Sequence, residues 1–318
     1  MQSSFIKGLF NEEKESLSTQ LVLWHHLTLR NILQRKFTGW IASSDHLGDF
    51  LQERSQSAAK RDDMALKEWK LNEIMRFFKM PFPNKLDIQS LNSIGIEIEV
   101  QSTALLRKID KEFKGNSSDE MVIHLLVKII KNFSEELKKK DSEYQNEIIQ
   151  KITSILQSMP LDHQETLKGI LSIEEFSHDV IRNAIFDHTL ATALASFMMM
   201  VRYTIYYELS KIVMVLSGAV TLYVARPYIK PLIPLVVFLF SPIAMAAIGV
   251  GLTWWTDVYT NREIQSFLLP IMVMSSIIAS EVHSKDSQIE TLSTNSVLQD
   301  GSENRYIEQF INFYNRNY

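Results

Sequence analysis

The sequence predicts an all-α protein: N-terminal helices and a compact helical domain, followed by a hydrophobic multi-helix unit that is either inserted in a membrane or buried as a core. Three observations predict it. Before residue 186, apolar residues recur at three- and four-residue spacing among many Lys, Glu and Asp, the pattern of amphipathic helices. Nearly all the long apolar runs are confined to residues 188–282. Within them, the stretch Pro231–Thr256, PLIPLVVFLFSPIAMAAIGVGLTWWT, carries no charge over 26 residues.

Residues 1–80 read as amphipathic N-terminal helices. Leu17, Leu21, Trp24, Leu27, Ile32 and Leu33 form one apolar series, and Met64, Leu66, Trp69, Leu71, Ile74, Met75 and Phe78 form another. The two prolines of PFPNKLD at 81–87 remove donors and restrict their neighbours, so a domain boundary is expected there. A helical domain then spans 86–186. Its segment Ile94–Val100, IGIEIEV, alternates with a period of two, which suggests a short strand with helix as the rival. A short helix is expected from Thr103 to Lys114. Ser117 and Glu120 have the spacing of a capping box and would start a helix running to about Lys140. Val122, Leu125, Leu126, Ile129, Ile130, Phe133 and Leu137 fall on one face of it, and three lysines at 138–140 suit its C-terminal end. The next helix covers about 142–158 and stops before Pro160. A second capping box, Ser172 to Glu175, is expected to open a helix leading into the apolar unit.

The apolar unit, 187–282, has four uncharged runs: 188–201, 212–225, 231–256 and 264–280. Two of them hold 14 residues, short of the ~20 that a spanning helix needs. Asp187, Arg202 and Lys211 would have to snorkel at their ends. Pro234 and Pro242 argue against one straight rod through the third run, leaving a bent span, a re-entrant hairpin or a buried core. The link holding Arg226 and Lys230 has no acidic residue and is expected on the cytoplasmic side. Trp254 and Trp255, beside Asp257, match an interfacial belt, and Gly249 and Gly251 permit close helix packing. Met198, Met199 and Met200 suit lipid or a deformable interior. Residues 283–318 read as a polar linker ending in a short aromatic helix with Tyr306, Ile307, Phe310, Ile311, Phe313 and Tyr314, which docks back on the body or engages a partner.

Catalytic patterns do not stand out. The chain has no cysteine, which excludes disulfides, thiolate metal sites and a thiol nucleophile. Its net charge of −4 does not suggest a nucleic-acid binder. There is no phosphate-binding glycine motif, no H-E-x-x-H and no G-x-S-x-G. Glu174, His178, Asp187 and His188 supply metal-ligand types without a metal-site spacing, and a solvated helix surface is expected instead. Adjacent His25 and His26 point to different helix faces. No cofactor and no metal are expected, and no cleaved signal is read at the N-terminus.

Three segments carry a family resemblance: TALLRKIDKEFK at 103–114, DEMVIHLLVKIIKNFSEELKKKDSEYQNEIIQKI at 119–152, and SPIAMAAIGVGLTWWTDVYTNREIQSFLLPIMV at 241–273. In the last, Pro242, Ile243, Ala247, Gly249, Trp254 or Trp255, Asp257, Arg262, Pro270 and Ile271 stand where the family has its characteristic residues. The pattern resembles the uncharacterised bacterial YaaW-like proteins, grouped with the ubiquinol–cytochrome c chaperone domain. That resemblance implies an all-helical protein without known catalytic residues.

The expected function is that of a non-enzymatic, membrane-associated protein of the bacterial inner membrane, both termini cytoplasmic, with a cytoplasmic location as the alternative. Its expected partners are the lipid bilayer and a protein bound by the helical domain; nucleic acid is not expected, and a homo-oligomer is possible. An assembly chaperone for a membrane protein and a membrane-perturbing toxin or defence effector are the rival readings. The candidate residues of the membrane unit are Pro242, Gly249, Gly251, Trp254, Trp255, Asp257, Arg262 and Pro270.

Overall fold

A computed structural model describes residues 3–26, 28, 46–139, 141–201, 261–280 and 300–317. Among the described residues every regular element is a helix and no strand occurs, as the all-α class requires. They fall into two compact units. Unit 1 takes residues 3–118 with 261–280 and 300–317, and unit 2 takes 119–201.

Unit 1 contains α1 (Ser4–Asn11), α2 (Lys14–His26), α3 (His46–Ala58), α4 (Asp63–Phe77), α5 (Ile88–Ile109), α11 (Asn261–Ser280) and α12 (Asp300–Asn317). Its helix ends follow local chemistry. The Ser3 hydroxyl caps α1 by accepting from the Ile6 amide, and Asp62 caps α4 by accepting from the amides of Met64 and Ala65. Helix α4 closes through Lys79, whose φ of 56° is the left-handed conformation common at helix ends. The proline pair of 81–87 then keeps the chain out of helix until Asp87 caps α5 by accepting from the Ser90 amide at 2.7 Å.

The 81–87 segment is thus a turn inside unit 1 and not the expected domain boundary, because α4 and α5 belong to the same unit. Helix α12 fastens the turn. Asn315 Oδ1 accepts from the Leu86 N–H at 2.7 Å while its Nδ2 donates to the Leu86 carbonyl at 2.9 Å. Ile307, Phe310 and Tyr314 of α12 are buried, and Phe310 meets Phe10 edge-to-face at 5.1 Å. The C-terminal aromatic helix therefore docks back on its own chain.

The alternating segment 94–100 is helix, in the middle of α5, and the separate helix expected over 103–114 is the same element, ending at Ile109. Leu91, Gly95, Ile98, Ser102 and Leu106 face inward, a helical period, whereas Ile96 and Val100 are exposed. Gly95 is small because α1 lies on it. A Cβ there would stand 2.3 Å from Ser3 Oγ and 2.4 Å from Ile6 Cγ1. Gly8 plays the same part on the other side of α1, where a Cβ would stand 1.5 Å from the Ser276 carbonyl oxygen of α11. Two glycines thus let α1 lie in backbone-close contact between α5 and α11. Glu99 secures its N-terminus by accepting from Ser3 Oγ at 2.7 Å and the Phe5 N–H at 2.8 Å.

Unit 2 contains α6 (Ser118–Leu137, apart from its first residue), α7 (Ser142–Ser158), α8 (Leu161–Leu171), α9 (His178–Phe186) and α10 (Thr189–Val201). Helix α6 begins directly after Ser117, where the capping pattern places its start, and buries Val122, Leu125, Leu126, Ile129, Ile130 and Leu137. Asp141 caps α7 by accepting from the Tyr144 amide, and α7 stops ahead of Pro160. The 172–175 pattern does not open a helix. Ser172 instead closes α8 in the left-handed conformation, φ 56°, its amide bonding back to the last turn, and α9 starts only at His178. Ser134 of α6 donates to the Ile185 carbonyl of α9 at 2.6 Å, and α10 packs on α8, with Phe197 meeting His163 edge-to-face at 5.6 Å.

Candidate functional site

Of the expected apolar unit 187–282, α10 is assigned to unit 2 and α11 to unit 1. Of the candidate membrane residues, Pro242, Gly249, Gly251, Trp254, Trp255 and Asp257 lie outside the described residues. So do the runs 212–225 and 231–256 and most of the polar linker after residue 283. Arg262 is exposed in the first turn of α11, with its guanidinium 6.0 Å from the centre of the Phe77 ring. Pro270 is buried in the middle of α11, where it offers no N–H to the Ser266 carbonyl.

By length and composition α11 is apolar enough to cross a membrane, yet 61% of its most apolar window is buried within the protein. The neighbours that bury it are polar at the centre. Lys70 of α4 is 0% exposed and Glu12, between α1 and α2, is 2% exposed. Lys70 Nζ donates to Glu12 Oε2 at 2.6 Å, Gln20 Oε1 at 2.7 Å and Ser276 Oγ at 2.8 Å, so each of its three hydrogens has a partner. Glu12 also accepts from Ser275 Oγ at 2.7 Å, Ser276 Oγ at 2.9 Å, Ser16 Oγ at 3.0 Å and the Gln20 side-chain amide. Burial pushes the Glu12 carboxyl up, but Lys70 and the hydrogen bonds together outweigh it and hold the group below the usual carboxylate range. Burial pushes the Lys70 ammonium down from the ordinary lysine value, against the pull of Glu12. Beside the pair, Lys67 donates to the Phe10 carbonyl at 2.9 Å, placing a cation at the C-terminal end of α1.

This cluster acts as a lock. A charged, fully bonded ammonium has no lone pair to use as a nucleophile or base, and a carboxylate with this many donors is a poor general base. What it does is specify which face of α11 meets α2 and α4. Sequence reading missed it, although a signal exists: Lys67, Lys70, Leu71 and Ile74 share one face of α4, so two lysines stand among its buried apolar positions.

A second constellation lies on the surface of unit 1. Its contacts form two sets joined through the adjacent residues His25 and His26. Arg262 sits over Phe77, and Phe77 meets Trp24 at 5.7 Å and Phe78 at 5.5 Å. Trp24 Nε1 donates to Glu73 Oε2 at 3.0 Å, and Glu73 pairs with Arg76 at 3.2 Å. His25 lies 3.8 Å from Glu73 and stacks on Trp69 at 4.8 Å, and Arg61 covers the Trp69 ring at 4.5 Å. Arg76 lies over Phe82 at 5.9 Å, and Phe50 takes both His26 and Arg54. Arg54, Arg61, Arg76 and Arg262 are exposed. Burial, assisted by Arg61 and Arg76, lowers the His25 pKa against the pull of Glu73; burial, Arg54 and His25 lower that of His26.

The sequence-predicted histidines of unit 2 have local partners. Glu174 precedes the helix that His178 starts, His178 lies 3.4 Å from its neighbour Asp179, and His188 Nε2 pairs with Glu135 at 2.9 Å. Among the described residues no group of three metal-ligating side chains converges. His25 and His26 have separate neighbours, as adjacent helix residues do. No family model, curated protein or solved structure matches the chain.

Proposed function

We propose that this is a membrane-associated helical protein whose sequence stretch 231–256 is its bilayer-contacting part. The observation that carries the reading is the absence of charge over those 26 residues, with Arg226 and Lys230 before them and Trp254, Trp255 and Asp257 at their end. The burial of α11 narrows the proposal. A helix already enclosed by Glu12, Lys70 and their neighbours needs no lipid to cover it, so insertion into the bilayer falls on 231–256 and not on all of 187–282. Bent at Pro242, the stretch divides into arms of roughly 15 and 20 Å at about 1.5 Å per residue, enough to enter one leaflet and return. Such a hairpin keeps Arg226, Lys230, Asp257 and Arg262 on one side of the membrane, the side that basic residues favour. A protein partner for the helical domain, and the inner membrane of a bacterium as the site, belong to the same proposal.

Fractionation of cells expressing the full chain tests it. The protein is expected to stay in the membrane pellet after alkaline carbonate extraction. Because the chain has no cysteine, Ala247→Cys gives a single label site, expected to resist a water-soluble maleimide until detergent is added. A protein that remains soluble and monomeric without detergent, labelled freely at residue 247, would defeat the reading.

A further inference from the structure

We propose that the arginine–aromatic surface of unit 1 is a docking face for an anionic lipid bilayer, with Arg61, Arg76 and Arg262 meeting phosphate headgroups and Trp69, Phe77 and Phe82 lying at headgroup depth. The inference rests on the membrane reading above and deepens it by naming the face and the lipid charge. Three independent features point there.

The first is charge. Exposed guanidiniums line the face, and the carboxylate within its chain of contacts, Glu73, is already engaged by Arg76 and Trp24. A guanidinium offers a planar fork of donors that matches phosphate oxygens, and each basic residue near an anionic surface strengthens binding roughly five-fold. The second is the pairing of each cation with a ring: Arg61 over Trp69, Arg76 over Phe82, Arg262 over Phe77. The arginines are thereby presented beside aromatic rings, of which Trp69 is a type enriched at a membrane–water interface, and Phe82 is 39% exposed. The third is covalent. Arg262 belongs to the first turn of α11, and four residues lie between Thr256, the end of the charge-free stretch, and Asn261, a span of five Cα–Cα steps. That length of chain reaches about 18 Å at most. A bilayer that receives the stretch is therefore held within about two helix diameters of this face.

The test is co-sedimentation of the full-length protein with vesicles of phosphatidylcholine alone and of phosphatidylcholine with phosphatidylglycerol. The unaltered chain is expected to prefer the anionic vesicles. The triple variant R61Q/R76Q/R262Q is expected to lose that preference by on the order of a hundredfold at low salt. A control of equal charge, K108Q/K111Q/K114Q, alters exposed lysines elsewhere on the unit and should keep most of it. R61K/R76K/R262K retains the charge and should also keep most of it. If the triple variant does not fold, Arg76→Gln alone carries the test, with an expected loss of about five-fold. Equal losses in the triple variant and the lysine control overturn the docking face while leaving membrane association standing. An unaltered chain that sediments with neither vesicle defeats the membrane reading itself. Displacement from the vesicles by duplex oligonucleotide, dependent on the same arginines, overturns the lipid assignment in favour of nucleic acid.

Discussion

Unit 1 handles charge in two opposite ways, less than two helical turns apart on the same α4 helix. At Lys70 it encloses an ammonium completely and matches every hydrogen with an acceptor from another part of the chain. At Arg76 it leaves a cation in water, resting on a ring and paired with one carboxylate. The interior pair confers specificity, since only one seating of α11 brings Ser275 and Ser276 to Glu12. The surface charges confer little stability one by one, and their effect appears only as a sum toward a charged partner.

The sharpest way to break this contrast is to remove one interior partner. Lys70→Met leaves Glu12 buried without its cation and is expected to destabilise unit 1 by about 3–5 kcal/mol, read from the urea midpoint followed by tryptophan fluorescence. The double variant E12Q/K70M should recover much of that loss, because no orphan charge remains. A double variant no better than K70M would show that packing, not charge pairing, dominates. Gly8→Ala comes next: its Cβ meets backbone, so α1 must shift from α11 at a cost of about 1–3 kcal/mol, measured in the same way.

Acid sharpens the contrast further. The lowered Glu12 pKa contributes stability that is present above the unfolded carboxylate value of about 4.3 and is lost as the pH falls through the folded value. His25 and His26 are also lowered. The unfolded chain therefore takes up their protons first, and stability falls as the pH drops below about 6.5. The variant H25Q/H26Q should flatten the upper part of a stability–pH curve and leave the steeper acid limb to the carboxylates. The smallest effect is expected at the surface, where Arg76→Gln should change stability by no more than about 0.5 kcal/mol. A large loss there would mean that Arg76 belongs to the core and not to a binding face.

Much of the helical framework was legible in the chain. Helix α7 is legible over its actual span because a regular apolar face and Pro160 mark it, and the structure adds Asp141 as the cap at its start. The segment 94–100 misleads because one of its two inward residues, Gly95, is a glycine. Close approach of α1 demands the absence of a side chain at Gly95, and this erases the hydrophobic mark of the helical period while exposed Ile96 and Val100 imitate a strand. The Ser172–Glu175 pattern misled because serine tolerates a helix end as well as a helix start, and local sequence does not distinguish them. The Glu12–Lys70–Ser276 cluster was illegible for a different reason. Its members are 58 and 264 residues apart, and only the packing of α1, α2, α4 and α11 brings them together. The arginine–aromatic face was hidden likewise, since its rings come from α2, α3, α4 and the turn at 81–87, and a cation from α11.

The contact of Gly8 with Ser276 also orders events in time. A ribosome adding roughly 5–20 residues per second makes the 264 residues from Glu12 to Ser276 in something like 10–50 s. Over that interval α1 has no α11 to rest on, and Lys70 lacks the Ser276 hydroxyl. The charge-free stretch is made before α11, so it leaves the ribosome while unit 1 is still open. On the proposed membrane reading, delivery to a bilayer can thus precede closure, and the docking of α11 and then α12 on α1 comes among the last steps.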